Sequence, residues 1–262
     1  MEFSLDGKRV FAGTGGRGFD PAAPTLVLLH GAGMDHSIFA LQARALAHHG
    51  RNVLAFDLPG HGRSEGPGIE AIGAMAEWVL RAASACGAER FRVAGHSMGS
   101  LVALETAARG GSRLTALSLI GFAPEMRVHP DLLASARAGV HNAVELMTMW
   151  SFGAHGLLGG SPAPGLWLAG SALRLLERAD SASLAADLAA CDSYRDATAA
   201  AARVHCPVLL VLGGEDRMTP APRAQAFASR FADARVAVLP SVGHLMMIED
   251  PPATLAAMRT IL

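Results

Sequence analysis

One serine stands between two glycines in the run Gly95-His96-Ser97-Met98-Gly99. A serine hydroxyl is a weak nucleophile by itself. It needs a base to take its proton and an acid to orient that base. Glycines two positions either side are what a sharp strand-to-helix turn requires, because side chains there would strike the adjoining strand and helix. Such a turn lifts the hydroxyl above a sheet and aims a helix N-terminus at it, where N–H groups favour developing negative charge. The plainer reading is a serine that caps a helix. A histidine and a carboxylate in suitable places decide between the two.

The sequence holds eleven histidines, and His244 stands out by position. It follows the apolar run "ARVAVLP" in "SVGHLMMIEDP" and precedes the helix-like "ATLAAMRTIL". A candidate acid follows another apolar run, in "PVLLVLGGEDRMTP", as Asp216, with Glu215 and Glu125 as its rivals. The chain order is then serine, acid, histidine, each after a different strand, which is the order of one hydrolase arrangement. An acyl-transfer site also needs two N–H groups for an oxyanion. The N–H of Met98 supplies one. The small residues of "HGAG" supply the other from Ala32, with Gly33 as the alternative. Gly31 and Leu245 adjoin these positions and are candidate substrate contacts.

The elements that must position these residues follow from hydrophobic patterning. "EFSL" and "KRVFAG" flank Asp6-Gly7, a hairpin signal. Continuous apolar runs at "TLVLLH", "NVLAFD", "FRVAG", "LTALSLIG", "PVLLVLGG" and "ARVAVLP" read as buried strands. Between several of them lie helical stretches closed by glycine, such as "IEAIGAMAEWVLRAASACG". The fold class is therefore α/β, with a mostly parallel central sheet and helices on both faces. Ligands bind such sheets at the carboxyl ends of the strands, which is where every candidate residue above falls.

One region departs from the alternation. Residues 124–203 read as helices without a strand, interrupted by the glycine-rich "SFGAHGLLGGSPAPG". They form an expected helical cap inserted into a core made of residues 1–123 and 204–262. A cap has an underside facing the site, so Met147 and Trp150 are candidate substrate contacts.

Composition narrows the partners. The net charge is −1, and no basic run suggests nucleic acid or an anionic membrane. A small, largely uncharged molecule is the expected partner. The three cysteines are far apart, which argues against a disulfide framework or a zinc site and fits a reducing, cytoplasmic location. No run is long enough to span a membrane, and the charged start lacks the apolar stretch of a signal peptide. Nothing in the sequence sets an oligomeric state. Several other polar residues read as structural. His96 is a packing or hydrogen-bonding residue, His61 holds a turn with Arg63 and Ser64, and His30 is a bonded strand-end residue. Asp57 orders the loop after its strand.

Taken in order, "HGAG", "DLPGHGRS", "GHSMG", "GGEDRMTP" and "VGHLMMIEDP" make the chain resemble the α/β-hydrolase family over nearly its whole length. The nearest resemblance is to small bacterial esterase, haloperoxidase and C–C hydrolase members. The resemblance implies hydrolysis through an acyl-enzyme, with no metal and no organic cofactor, and a cap that sets substrate choice. The expected activity is carboxylic ester hydrolysis by Ser97, His244 and Asp216. C–C, lactone or thioester hydrolysis and perhydrolysis share the same residues. A ligand-binding protein on a hydrolase scaffold is the non-enzymatic alternative.

Overall fold

A computed structural model describes residues 1–161 and 165–261. Part of the glycine-rich break expected within the cap, residues 162–164, lies outside the described residues. The strands are β1 (Glu2–Leu5), β2 (Lys8–Gly13), β3 (Thr25–Leu29), β4 (Asn52–Phe56), β5 (Phe91–His96), β6 (Leu114–Ile120), β7 (Val208–Gly213) and β8 (Ala234–Leu239). They form one sheet in the order β1-β2-β4-β3-β5-β6-β7-β8. Strands β3 to β8 pair in parallel, while β1 and β2 form an antiparallel edge against β4.

The pattern of burial explains the order. Every residue of β3, β4 and β7 is buried, as the unbroken apolar runs require. Of the outer strands, β1 alternates between exposed and half-buried residues, and β8 is exposed or half-buried at all but Leu239. The β1–β2 hairpin turns on Asp6 and Gly7, both with positive φ, a conformation that Asp-Gly adopts at low cost.

The core helices are α1 (Ala40–Ala47), α2 (Ile72–Ala85) and α3 (Met98–Gly110). Between β6 and β7 come α4 (Pro130–Arg137), α5 (Asn142–Ser151), α6 (Ala154–Leu157), α7 (Leu168–Glu177), α8 (Ser181–Ser193) and α9 (Ala197–Ala201). No strand interrupts them among the described residues. Helices α4 and α5 are separate because Gly139 takes φ +64° and closes the first. After β7 come α10 (Ala221–Phe227), α11 (Met246–Glu249) and α12 (Pro251–Met258). Among the described residues no helix is long and apolar enough to cross a membrane.

Sheet order reverses at β3, whose neighbours are β4 on one side and β5 on the other. The crevice outside the carboxyl ends of β3 and β5 is the switch point where parallel sheets bind ligands. The His30–Gly33 segment and Ser97 flank that crevice.

Candidate active site

Ser97 ends β5 and opens α3 with φ +54° and ψ −122°, a region that non-glycine residues rarely occupy. The surroundings hold it there. Its N–H donates to the Ile120 carbonyl at 2.9 Å, and its own carbonyl accepts from Ser100 N–H at 2.8 Å and Ser100 Oγ at 2.6 Å. The two flanking glycines are sterically required. A Cβ on Gly95 would stand 1.8 Å from the Gly99 carbonyl oxygen, and one on Gly99 2.3 Å from that of Leu29. Strand, turn and helix therefore meet at a separation that tolerates no side chain at either position.

Asp216 and His244 are buried on the loops after β7 and β8. His244 Nδ1 lies 2.7 Å from Asp216 Oδ2. A carboxylate can only accept, so Nδ1 carries the proton and Nε2 is left as the basic nitrogen. Asp216 is itself fully engaged. Oδ1 accepts from the N–H groups of Met218 and Thr219 at 2.9 and 2.8 Å, and Oδ2 accepts from the Thr219 hydroxyl at 2.6 Å. Burial pushes the Asp216 carboxyl up. The charge on His244 and the bonds from His244 and Thr219 outweigh burial and hold it below the usual carboxylate range. The rival acids are elsewhere. Glu215 accepts from Ala154 N–H at 2.8 Å, and Glu125 is exposed, 3.9 Å from Arg127.

Ser97 and His244 line one cavity of about 340 Å³, within the range of small-molecule sites. His244 Nε2 is buried and, among the described residues, has no hydrogen-bond partner. The bond from the Ser97 hydroxyl is thus not formed in this state; such bonds often tighten only around substrate. Ala32, Met147 and Trp150 line the same cavity, with Met34, Met126, Leu132 and Leu188. Two other expected contacts do not reach it. Leu245 is fully buried in the core, its N–H donating to the Ser151 carbonyl at 3.0 Å. Gly31 is packed under the turn, where a Cβ would lie 2.9 Å from His96 Nδ1 and 3.2 Å from Ser97 Cβ.

His96, His30 and His61 are buried and hydrogen-bonded outside the cavity. His96 donates from Nε2 to the His244 carbonyl at 3.0 Å, with the two rings 4.6 Å apart. Burial and then the neighbouring His244 lower His96 well below its ordinary value. His30 accepts from Leu58 N–H at Nε2 and donates from Nδ1 to the Gly31 carbonyl. Burial and the neighbouring His61 lower His30 to about 4. Asp57 accepts from the N–H groups of His36 and Arg63 and so orders the loop after β4.

His61 does more than hold its turn. Nδ1 faces the Pro59 carbonyl at 3.0 Å and Nε2 faces Asp187 Oδ2 at 2.9 Å, two acceptors that favour the doubly protonated, charged ring. Asp187, on α8, also accepts from Gly33 N–H at 2.9 Å. A carboxylate from the inserted helices thus anchors the loop carrying Ala32. The N–H offered as the alternative oxyanion donor, that of Gly33, is committed to it. Neither Asp187 nor the bracing of Asp216 by Thr219 was anticipated. The signal for Asp187 was an isolated acid in the apolar helix "SLAADLAAC"; that for Thr219 was its spacing of three from Asp216, as in a loop closed by a carboxylate.

The His61–Asp187 pair makes stability depend on pH with a definite sign. Burial lowers His61, but the bond and charge of Asp187 prevail and raise it above 6.5. A raised histidine contributes fully below its unfolded value and loses that contribution as pH rises through its folded value. Asp187→Asn should therefore destabilise the protein by roughly 1.5–3 kcal/mol near neutrality. The gap to the parent protein should be widest at about pH 6 and narrower at about pH 9 in urea unfolding. A gap that does not change with pH would remove the ion pair from the account.

The family model for the alpha/beta hydrolase family matches residues 26–258. The chain belongs to the alpha/beta hydrolase family. It is 32% identical over 240 residues to the dihydrolipoyllysine-residue acetyltransferase component of an acetoin cleaving system from Pseudomonas putida, across 90% of this chain but only 61% of that protein. It therefore spans about three-fifths of that relative's length. It is 28% identical to a putative carbamate hydrolase RutD from Pseudomonas savastanoi pv. phaseolicola, over 87% of this chain and 90% of that one. In fold it is similar to the enol-lactonase from Burkholderia xenovorans LB400, with a TM-score of 0.89 at 24% identity over 100% of this chain and 99% of the other. It is likewise similar to a thermophilic esterase from Thermogutta terrifontis, with a TM-score of 0.84 at 22% identity over 99% and 95% of the two chains.

Proposed function

We propose that this protein is a serine hydrolase that cleaves carboxylic esters of small, largely apolar molecules through an acyl-enzyme. The observation that carries the reading is the strained Ser97 sharing a cavity with His244, which is itself bonded to buried Asp216 at 2.7 Å. Ser97 Oγ attacks the ester carbonyl as His244 Nε2 takes its proton. Asp216 keeps the proton of the neutral ring on Nδ1 and stabilises the charged ring that forms. The N–H groups of Met98 and Ala32 receive the oxyanion. His244 returns its proton to the departing alkoxide, then activates the water that releases the acid. Residues 124–203 act as the cap, since Met126, Leu132, Met147, Trp150 and Leu188 contribute the apolar walls. No step calls for a metal or a cofactor.

A lactone is a cyclic ester and would follow the same steps. The enol-lactonase likeness makes lactones the first substrates to set beside open esters, and the carbamate hydrolase likeness makes carbamates the second. The reading is tested by steady-state hydrolysis of p-nitrophenyl esters, simple lactones and aryl carbamates, with fluorophosphonate labelling followed by mass spectrometry. The expected result is turnover of esters and a single adduct on Ser97. A folded protein that neither turns over an ester nor labels would favour the ligand-binding alternative.

A further inference from the structure

We infer that the preferred substrate carries a carboxylate on its apolar body, apart from the carbonyl of the bond that is cleaved. The inference rests on the ester-hydrolase reading above and adds the substrate's charge to it.

The walls of the Ser97 cavity are not uniformly apolar. Arg127, on the segment after β6, and Arg217, on the loop after β7, both line it, as does His129. Among the described residues no aspartate or glutamate lines it. Arg217 donates to the carbonyls of Met149 and Phe152, which fixes the guanidinium at the seam between the inserted helices and the core. Among the described residues it has no carboxylate within 4.0 Å. The nearest acid to Arg127 is Glu125 at 3.9 Å, and both side chains are more than half exposed, at 63% and 59%. A pair so exposed and so long contributes little and leaves the Arg127 charge available. His129 Nδ1 lies 3.3 Å from Asp131 N–H and 3.8 Å from the Asp131 carboxylate, and both side chains are exposed, a pair that contributes little. Its ring is set edge-on to Trp150, with centroids 5.7 Å apart.

A wholly neutral substrate gains little from this arrangement. Covering a guanidinium with an apolar group strips its water and returns nothing. A carboxylate returns charge-assisted bonds, and the planar fork of arginine suits its two oxygens. The whole-chain charge of −1 suggested an uncharged partner. That sum says nothing of a cavity where the charges are segregated.

The test compares two aryl esters with one leaving group. One is the p-nitrophenyl monoester of adipic acid, with a free carboxylate. The other is its isostere, with an isopropyl group in place of that carboxylate. The expected result is a kcat/KM at least about tenfold higher for the carboxylate ester, carried mainly by KM and weakened by added salt. Arg127→Gln and Arg217→Gln should each lower the ratio of the two kcat/KM values, and Arg127→Lys should retain part of it. The ratio is taken within one preparation, so losses of folded enzyme cancel. A ratio near one in the parent protein overturns the inference while leaving ester hydrolysis intact. So does a high ratio that neither arginine variant changes. Failure of the ester-hydrolase reading looks different: neither ester turns over and Ser97 takes no fluorophosphonate.

Discussion

Replacing Ser97 by alanine should lower kcat for a p-nitrophenyl ester by about 10⁶-fold, with KM little changed. The size follows from what remains. In the variant His244 can act only on water, without the covalent step that divides the reaction into two lower barriers. The proposed oxyanion donors, the N–H groups of Met98 and Ala32, are untouched by the change, so a residual rate of roughly 10³–10⁴-fold over uncatalysed hydrolysis should survive. Folding should be preserved. The φ of +54° at residue 97 is imposed by the turn and by the bonds to Ile120 and Ser100, all made by backbone atoms of Ser97. Alanine keeps those atoms and its Cβ. The variant should thus unfold at nearly the parent temperature while losing both turnover and fluorophosphonate labelling. Undiminished turnover in a folded variant would remove Ser97 from the mechanism.

Strands were the most legible part of the sequence. A strand buried on both faces has to be continuously apolar, and "TLVLL", "NVLAF" and "VLLVLG" have few other uses at that length. Ser97, Asp216 and His244 were legible for a related reason. Each follows a parallel strand, on the turn after β5 or the loops after β7 and β8, and parallel sheets gather those ends at one side. The inserted helices were legible as helices but not as partners. Alanine-rich helices show little about which face meets what, and α8 has apolar residues almost all round. Asp187, in the middle of α8, is fully buried between Gly33 and His61. His61 holds its turn, its carbonyl accepting from Ser64 N–H at 2.9 Å, and its ring also reaches α8. Its ring partner lies 126 residues away, and local spacing carries no trace of such a contact. Leu245 illustrates the opposite error. Adjacency to His244 suggested the cavity, but two N–H bonds to the Ser151 carbonyl hold that backbone, and Leu245 itself is packed in the core.

The bracing of Asp216 also determines what its closest isostere should do. Asp216→Asn should lower kcat by about 10⁴-fold without unfolding the protein. An asparagine amide has one oxygen to accept and one nitrogen that only donates. Two backbone N–H groups, from Met218 and Thr219, point at the Oδ1 position. The amide nitrogen cannot sit there without leaving both donors unpaired in a buried site. The oxygen therefore takes the Oδ1 place, and the nitrogen takes the Oδ2 place, 2.7 Å from His244 Nδ1. Thr219 Oγ1, 3.1 Å from the same Nδ1, can rotate its proton to suit. A donor facing Nδ1 forces the imidazole to carry its proton on Nε2, and that tautomer cannot accept the proton of Ser97. The imidazolium formed in the transition state also loses its counter-charge. Nitrogen-15 NMR of the His244 ring should show the proton moved from Nδ1 to Nε2 in the variant, alongside the fall in kcat. If the variant keeps activity within tenfold of the parent protein, Asp216 does not orient the base, and Glu215 or Glu125 must be tested in its place.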